Sequence, residues 1–238
     1  MKQSAIILSA ILLAFFSTSC IFSPSIKGNG NVVQEIRNVG DFDEIKVSRG
    51  MNVYISQGEP TKITVKADEN LLEVIETDTN GGVLEITTKS TIRNATEKKV
   101  YITTPNLVML KSFAGSNIYS ETTINTDELE ISASAGSNIS LDINTKKLVV
   151  SANAGSNISL YGEAKSFEGK VSSGSNIKAT KLTTQNGKAK ASSGANIWLT
   201  TENSLNAHAS SGGNIFYYGK PENTEIEKSS GGNVINKN

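Results

Sequence analysis

The chain has 238 residues, with 23 basic and 23 acidic side chains, one histidine and one cysteine. A formal net charge of zero with no basic stripe leaves nucleic acid no electrostatic footprint, and one cysteine excludes an internal disulfide. Glycine, serine, asparagine and threonine are abundant and proline is scarce, but regularly spaced apolar residues run through them, which excludes a disordered polymer.

In chain order, the first segment reads as a leader. Lys2 precedes an almost unbroken apolar run over residues 5–16, too short to span a bilayer stably as a helix. Ser17, Thr18 and Ser19 then lead into Cys20. Residues 1–19 are expected to be a lipoprotein signal peptide, because Cys20 resembles the acceptor cysteine of a bacterial lipoprotein. Ser17 departs from that pattern, where a branched apolar residue is usual. The alternative is an ordinary cleaved signal that leaves an unpaired thiol, a liability in an oxidising compartment. Acyl chains on Cys20 would tether the protein to a membrane, with residues 20–29 as anchor and flexible spacer. Removal of Lys2 with the leader leaves 22 basic against 23 acidic residues. The remainder, 30–238, is long enough for one domain.

Residues 30–112 are the irregular part of that domain. In "FDEIKVSRGMNVYI", Ile45 and Val47 precede Gly50 at alternating positions, so a first coil begins here. "TKITVKA" and "VLEITTK" read as strands, with Asn80-Gly81-Gly82 as a hairpin turn. "DENLLEVI" (68–75) reads as one or two helical turns with Asp68 as N-cap. These additions are expected to cover the strand edges at the N-terminal end.

Residues 113–238 repeat one phrase. Ala-Gly-Ser-Asn-Ile occurs at 114–118, 135–139 and 154–158, and close variants begin at 173, 193, 211 and 230. The glycines fall at 115, 136, 155, 174, 194, 212 and 231, at intervals of 21, 19, 19, 20, 18 and 19 residues. An earlier copy, Arg-Gly-Met-Asn-Val, lies at 49–53. Copies at one period mean a stacked architecture.

Between the glycines the apolar spacing is two, the period of a strand. Leu129, Ile131 and Ala133 precede Gly136, and Ile139 and Leu141 follow it. Each unit is therefore expected to hold two short strands joined by the glycine bend, with a second turn near 144–146 or 163–165. The fold class is all-β: a single-stranded parallel β-helix with coils of about 19 residues, right-handed as parallel crossovers are. Seven coils rise roughly 30 Å at about 4.8 Å each.

Two readings of the phrase compete, a repeated ligand site and a repeated corner. Calcium-binding coils need acidic residues at a nine-residue period, and the phrase has none. The corner reading uses every residue: Gly115, Gly136, Gly155, Gly174, Gly194, Gly212 and Gly231 supply positive φ, and small flanking residues fit a narrow bend. Asn117, Asn138, Asn157, Asn176, Asn196, Asn214 and Asn233 suit a turn and can pass hydrogen bonds from coil to coil.

The opening "GNGNVVQEIRNVGDFDEIKVSRGMNVYISQG", then "ADENLLEVIET" and the serial Gly-x-Asn-Ile copies, resemble the putative auto-transporter adhesin head GIN domain family across residues 28–238. That resemblance implies a parallel β-helical envelope protein of Bacteroidetes-type bacteria. It supplies no catalytic or binding residues.

Enzymatic β-helices cluster Asp, Arg or Lys on one sheet face. Here Asp127, Asp142 and Glu163 are dispersed, and His208 falls on an outward position. No catalytic residue, metal site or cofactor is expected. One outward position does stand out. Four residues after each glycine come Tyr119, Ser140, Ser159, Lys178, Trp198, Phe216 and Ile235, with Tyr218 two beyond Phe216. Trp198, Phe216 and Tyr218 are a candidate platform for a glycan or protein, unless a strand, loop or tail covers them.

The leading function is a lipid-anchored, non-catalytic binding or adhesion module of the outer membrane, on either its periplasmic or its outer face. Cys20 is followed by Ile-Phe-Ser-Pro without an acidic cluster, which leans toward the periplasm. The alternatives are a polysaccharide-active enzyme and a structural or stress-related envelope protein. The last repeat stops close to the C-terminus, so a homo-oligomer through an open C-terminal end is also an expectation.

Overall fold

The computed structural model describes residues 25–238. The expected signal peptide and the expected lipidation site at Cys20 lie outside the described residues.

The corner takes its shape from two consecutive residues at positive φ. Each glycine of the repeat has φ between 69° and 76°, and the residue before it, Arg, Ala or Ser, has φ between 47° and 57°. A bond from Ser137 N–H to the Ser134 carbonyl (3.3 Å), or from Ala195 to Ser192 (3.1 Å), closes the turn. This is the type I′ pattern, in which both central residues are left-handed. The sequence reading assigned that conformation to the glycine alone. The non-glycine partner accepts it because its carbonyl is then aimed at the preceding coil: Gly136 N–H donates to Ala154 (3.0 Å) and Gly155 N–H to Ser173 (3.1 Å).

The residue after each corner glycine but the last is sealed inside. Ser116, Ser137, Ser156 and Ser175 are fully buried, and such hydroxyls need partners. Ser137 Oγ donates to the Ser112 carbonyl (2.7 Å) and Ser156 Oγ to that of Ala133 (2.8 Å). At Gly213 even a methyl would lie 2.5 Å from the Ala191 carbonyl group. Coil contact, not turn geometry, requires glycine there.

The N-terminal part already contains a coil. β1 (Ser25–Lys27) and β2 (Val32–Arg37) precede β3 (Glu44–Val47) and β4 (Asn52–Gln57), which flank the Arg49–Gly50 corner. An insertion follows: β5 (Lys62–Asp68), β6 (Ile75–Asn80), β7 (Val83–Thr88), β8 (Thr91–Asn94) and β9 (Lys98–Thr104). β10 (Met109–Ser112) and β11 (Asn117–Ser120) then stack in parallel on β3 and β4, Ile45 beside Leu110 and Asn52 beside Asn117.

On their other side β3 and β4 take β7 and β9 in parallel, and antiparallel strands finish the sheet: β6 on β7, β5 on β9 and β2 on β5. The β6–β7 turn is at Gly81 and Gly82, both with positive φ, as expected for the hairpin.

Two expectations fail in this part. Residues 68–75 hold only a single 3-10 turn, Glu69–Leu71, and Asp68 does not cap it. Its buried carboxylate instead accepts the backbone N–H groups of Gly30 (3.0 Å), Thr96 (3.0 Å) and Glu97 (3.1 Å), tying three segments together. Burial opposes its charge, but these donors hold its carboxyl below the usual carboxylate range. The spacer is also shorter than expected. Residues 25–27 pair with β8, and Asn29 N–H donates to Asn70 Oδ1 at 2.9 Å.

In the regular region, β12 (Ile124–Ala133), β13 (Asn138–Ala152), β14 (Asn157–Val171), β15 (Asn176–Ala191) and β16 (Asn196–Ala209) stack in parallel, Asn on Asn and Ile on Ile. β13 to β16 each run 14–16 residues from one corner to the next, rather than as two short pieces. The second bend is a loss of alternation: Lys146 and Lys147 are both exposed between buried Thr145 and Leu148. Pairing with β14 skips only Lys146 and resumes in the same register, Thr145 beside Ala164 and Lys147 beside Ser166, so no separate turn is needed. Thr145 Oγ1 serves the bend by donating toward the carbonyls of Asp127 (3.1 Å) and Lys147 (3.2 Å).

The core is one apolar column inside the coil, with Phe167 its largest fully buried side chain. β17 (Asn214–Tyr218), β18 (Asn223–Lys228) and β19 (Asn233–Asn236) complete the stack. β18 rests on β16 and β19 on β17, each paired along one edge only. Asn238 Oδ1 folds back onto Gly219 N–H at 2.9 Å.

Candidate functional site

The strands that leave each corner form one sheet face, and their outward residues fall into columns. Inward Ile118, Ile139, Ile158, Ile177, Ile197 and Ile215, all at most 2 % exposed, fix the phase. The first outward column is asparagine. Each Nδ2 donates to the Oδ1 of the preceding coil, from Asn233 to Asn214 (3.0 Å), Asn214 to Asn196 (2.9 Å), Asn196 to Asn176 (3.0 Å) and Asn176 to Asn157 (3.0 Å). The chain of bonds continues from Asn157 to Asn138 (3.1 Å), Asn138 to Asn117 (2.9 Å) and Asn117 to Asn52 (2.8 Å). Amides occupied by one another in this way brace the corners.

The second outward column reads, in register, Tyr101, Tyr54, Tyr119, Ser140, Ser159, Lys178, Trp198, Phe216 and Ile235. Strand spacing sets its geometry: rings on adjacent strands stack because the backbones lie about 4.8 Å apart. Trp198 and Phe216 have centroids 5.2 Å apart with planes 14° from parallel. Tyr54 stacks on Tyr101 at 5.2 Å and on Tyr119 at 5.3 Å. Sequence reasoning missed the tyrosine group. Tyr54 stands four residues after Gly50, a signal that was there to use, but Tyr101 arrives on β9 from the insertion and no period announces it.

The two aromatic groups bound a trough. Stacking runs along the solenoid axis, so Phe216 takes one face of Trp198 and the other looks toward Lys178. Tyr119 likewise turns its free side toward Ser140. Between them the floor is Ser140, Ser159 and Lys178, and four strand steps of about 4.8 Å give a span of about 19 Å. The far end of the Trp198–Phe216 pair is partly closed, because Lys237 Nζ lies 5.4 Å from the Phe216 ring and Ile235 follows in register. Trp198, Phe216 and Tyr218 are each partly exposed. Tyr218 stands in the neighbouring column beside Thr200 rather than in the stack. Tyr161 lies outside that column: it pairs with Lys181, whose Nζ is 5.5 Å from the ring, whereas Thr200 pairs with Thr183. A register shift between Ser159 and Tyr161 absorbs the extra residue of the 20-residue coil.

The charged residues sit elsewhere. Asp127 and Glu163 share with Glu202 a groove of about 700 Å³ along the second bend, where Lys146 Nζ meets Asp127 at 2.8 Å. His208 faces outward, its Nδ1 2.9 Å from Glu227. The Lys170 ammonium beside Glu168, helped by Lys188, holds that carboxyl below its ordinary value. Among the described residues no group of three or more His, Cys, Asp or Glu side chains is placed to hold a metal ion.

Repeated corners, an asparagine ladder and a β-solenoid define the class, and the sequence agrees. Residues 41–221 match the family described as "Putative auto-transporter adhesin, head GIN domain", and the chain belongs to that family. Solved structures share the fold. A putative adhesin from Bacteroides fragilis is 20% identical, with a TM-score of 0.83 over 89% of this chain and 100% of its own. A putative lipid binding protein from Parabacteroides distasonis is 20% identical, with a TM-score of 0.75 over 90% of this chain and 100% of its own. A putative adhesin from Parabacteroides merdae is 22% identical, with a TM-score of 0.71 over 90% and 99%. No curated protein matches the chain.

Proposed function

We propose that the chain is a non-catalytic binding module of the adhesin type, tethered to the outer membrane through Cys20, which takes a glycan along the trough between Tyr119 and Trp198. The observation that carries this is the Trp198–Phe216 stack on an outward column whose intervening coils carry Ser140, Ser159 and Lys178. Solvent-facing rings flanking a small polar floor suit the alternating apolar faces and hydroxyls of a saccharide chain. The names of the family and of the Bacteroides and Parabacteroides neighbours agree with adhesion. A protein ligand would use the same rings and is the alternative that the experiment separates.

The test is binding of the double variant Trp198→Ser/Phe216→Ser to a glycan array and to immobilised matrix proteins. Loss of two ring contacts is expected to weaken glycan binding about tenfold or more, with thermal unfolding little changed. Equal binding by a folded double variant removes the proposal. For the tether, Cys20→Ser is expected to release the protein from the membrane fraction, and protease shaving of intact cells reads which membrane face it occupies.

A further inference from the structure

One corner departs from the others, and it opens on a cavity that the aromatic face does not use. In seven corners the residue before the glycine is Ala or Ser, whereas in the first it is Arg49, at φ 57°. A long side chain gains nothing from a strained position that small residues fill elsewhere, unless its charge is used. Arg49, Lys89 and Lys98 line a pocket of about 560 Å³, together with Thr88, Thr91 and Ile92. Arg49 is steered by a bond from its guanidinium to the Thr88 carbonyl. Lys98 Nζ lies against the corner, where a methyl on Gly50 would meet it at 3.3 Å.

The charges here are not balanced. Lys66 and Lys99 share Glu97, at 3.1 and 3.3 Å, and Lys89 reaches Glu76 at 3.3 Å. Among the described residues no carboxylate pairs with Arg49 or Lys98, and residues 1–24 contain no Asp or Glu. A half-buried ammonium beside a guanidinium with no counter-ion is costly by itself, and burial holds the Lys98 amine below its ordinary range. A bound anion removes that cost.

We propose that this pocket binds a phosphate-class oxyanion, gripped by Arg49 and Lys98 with Lys89 at its edge. Arg supplies a planar fork of donors and Lys a point charge, the pairing that phosphate oxygens take well. The cavity falls in the range of small-molecule sites, so the phosphate is a substituent on a larger group. That group is either a soluble phosphate ester or a lipid headgroup.

Inorganic phosphate, titrated into the folded protein at constant ionic strength, is expected to raise the melting temperature saturably, where chloride does not. Lys98→Gln and Arg49→Ala are each expected to weaken phosphate binding at least tenfold. Lys98→Gln should melt no lower than the parent in phosphate-free buffer, since it removes an unpaired half-buried charge, whereas Arg49→Ala gives up the bond to the Thr88 carbonyl and is read by the loss of the phosphate-dependent rise alone. Vesicles of phosphatidylcholine with phosphatidic acid, against phosphatidylcholine alone, separate the sources. Lys98-dependent capture assigns the headgroup, and saturation by phosphate without capture assigns a soluble ester. The proposal is overturned if phosphate stabilises no more than chloride, or if both variants bind it as the parent does. Trp198→Ser/Phe216→Ser leaves this site intact, so failure of either reading is distinguishable from failure of the other.

Discussion

At the scale of residues, the corner is a set of divided tasks. Asn157 both gives and receives a side-chain bond, from Asn176 and to Asn138, whereas Asn233 at the end only gives. Asn157→Ala therefore strands a donor above and an acceptor below. It is expected to cost about 1–3 kcal/mol, and Asn233→Ala under about 1 kcal/mol, both read from urea unfolding. The glycines divide too. At Gly155 a methyl meets nothing within 4 Å, so Gly155→Ala costs only the left-handed backbone, about 1–2 kcal/mol. At Gly213 it meets the Ala191 backbone at 2.5 Å, so Gly213→Ala must push coils apart and is expected to be the more damaging. The repeat made Gly and Asn legible as a corner. It did not reveal the left-handed Ala or Ser before the glycine, because small residues there read equally well as space savers. The buried serine was hidden for the same reason.

At the scale of elements, long strands hold the stack and the cap closes it. Alternating burial over β13–β16 followed directly from period-two patterning, since each ladder partner repeats the same phase. The bend was misread as a turn because Lys146 and Lys147 carry the composition of one, whereas pairing to both neighbours skips only Lys146 and resumes in the same register at Lys147. Phe167 explains one odd core position: its ring lies 2.6 Å from where a methyl on Gly169 would be, whereas a methyl on Gly187 would meet Leu199 at 2.9 Å. Phe167→Ala is expected to cost about 3–5 kcal/mol, and Gly169→Ala about 1–3 kcal/mol through crowding of the same ring.

The cap was legible only in part. A hairpin announced itself through Gly81 and Gly82, but Asp68 looked like a helix cap because its true partners, Gly30, Thr96 and Glu97, are distant in sequence. Its depressed carboxyl has a pH signature. The stabilisation is present above the unfolded value of about 3.9 and is lost as pH falls through the lower folded value. Amide exchange in β2, β5 and β9 is therefore expected to accelerate in acid before that in β13–β16, a difference that Asp68→Asn abolishes by loosening the cap at neutral pH.

At the scale of the whole molecule, the solenoid is a ruler that turns sequence position into a column on a surface. Two aromatic groups far apart in sequence, Tyr54 with Tyr101 and Tyr119, and Trp198 with Phe216, become the two ends of one trough. The periodic part of that face was visible in the sequence, and the contribution of β9 was not, because the insertion follows no repeat. Trp198 is the only tryptophan in the chain, so its emission reports on the trough alone. The most direct test is to titrate glycans that the array retains while recording Trp198 fluorescence. Saturable quenching or a blue shift, with the same midpoint as binding, is the predicted result. Tight glycan binding that leaves Trp198 emission unchanged would contradict the assignment of this face as the binding surface.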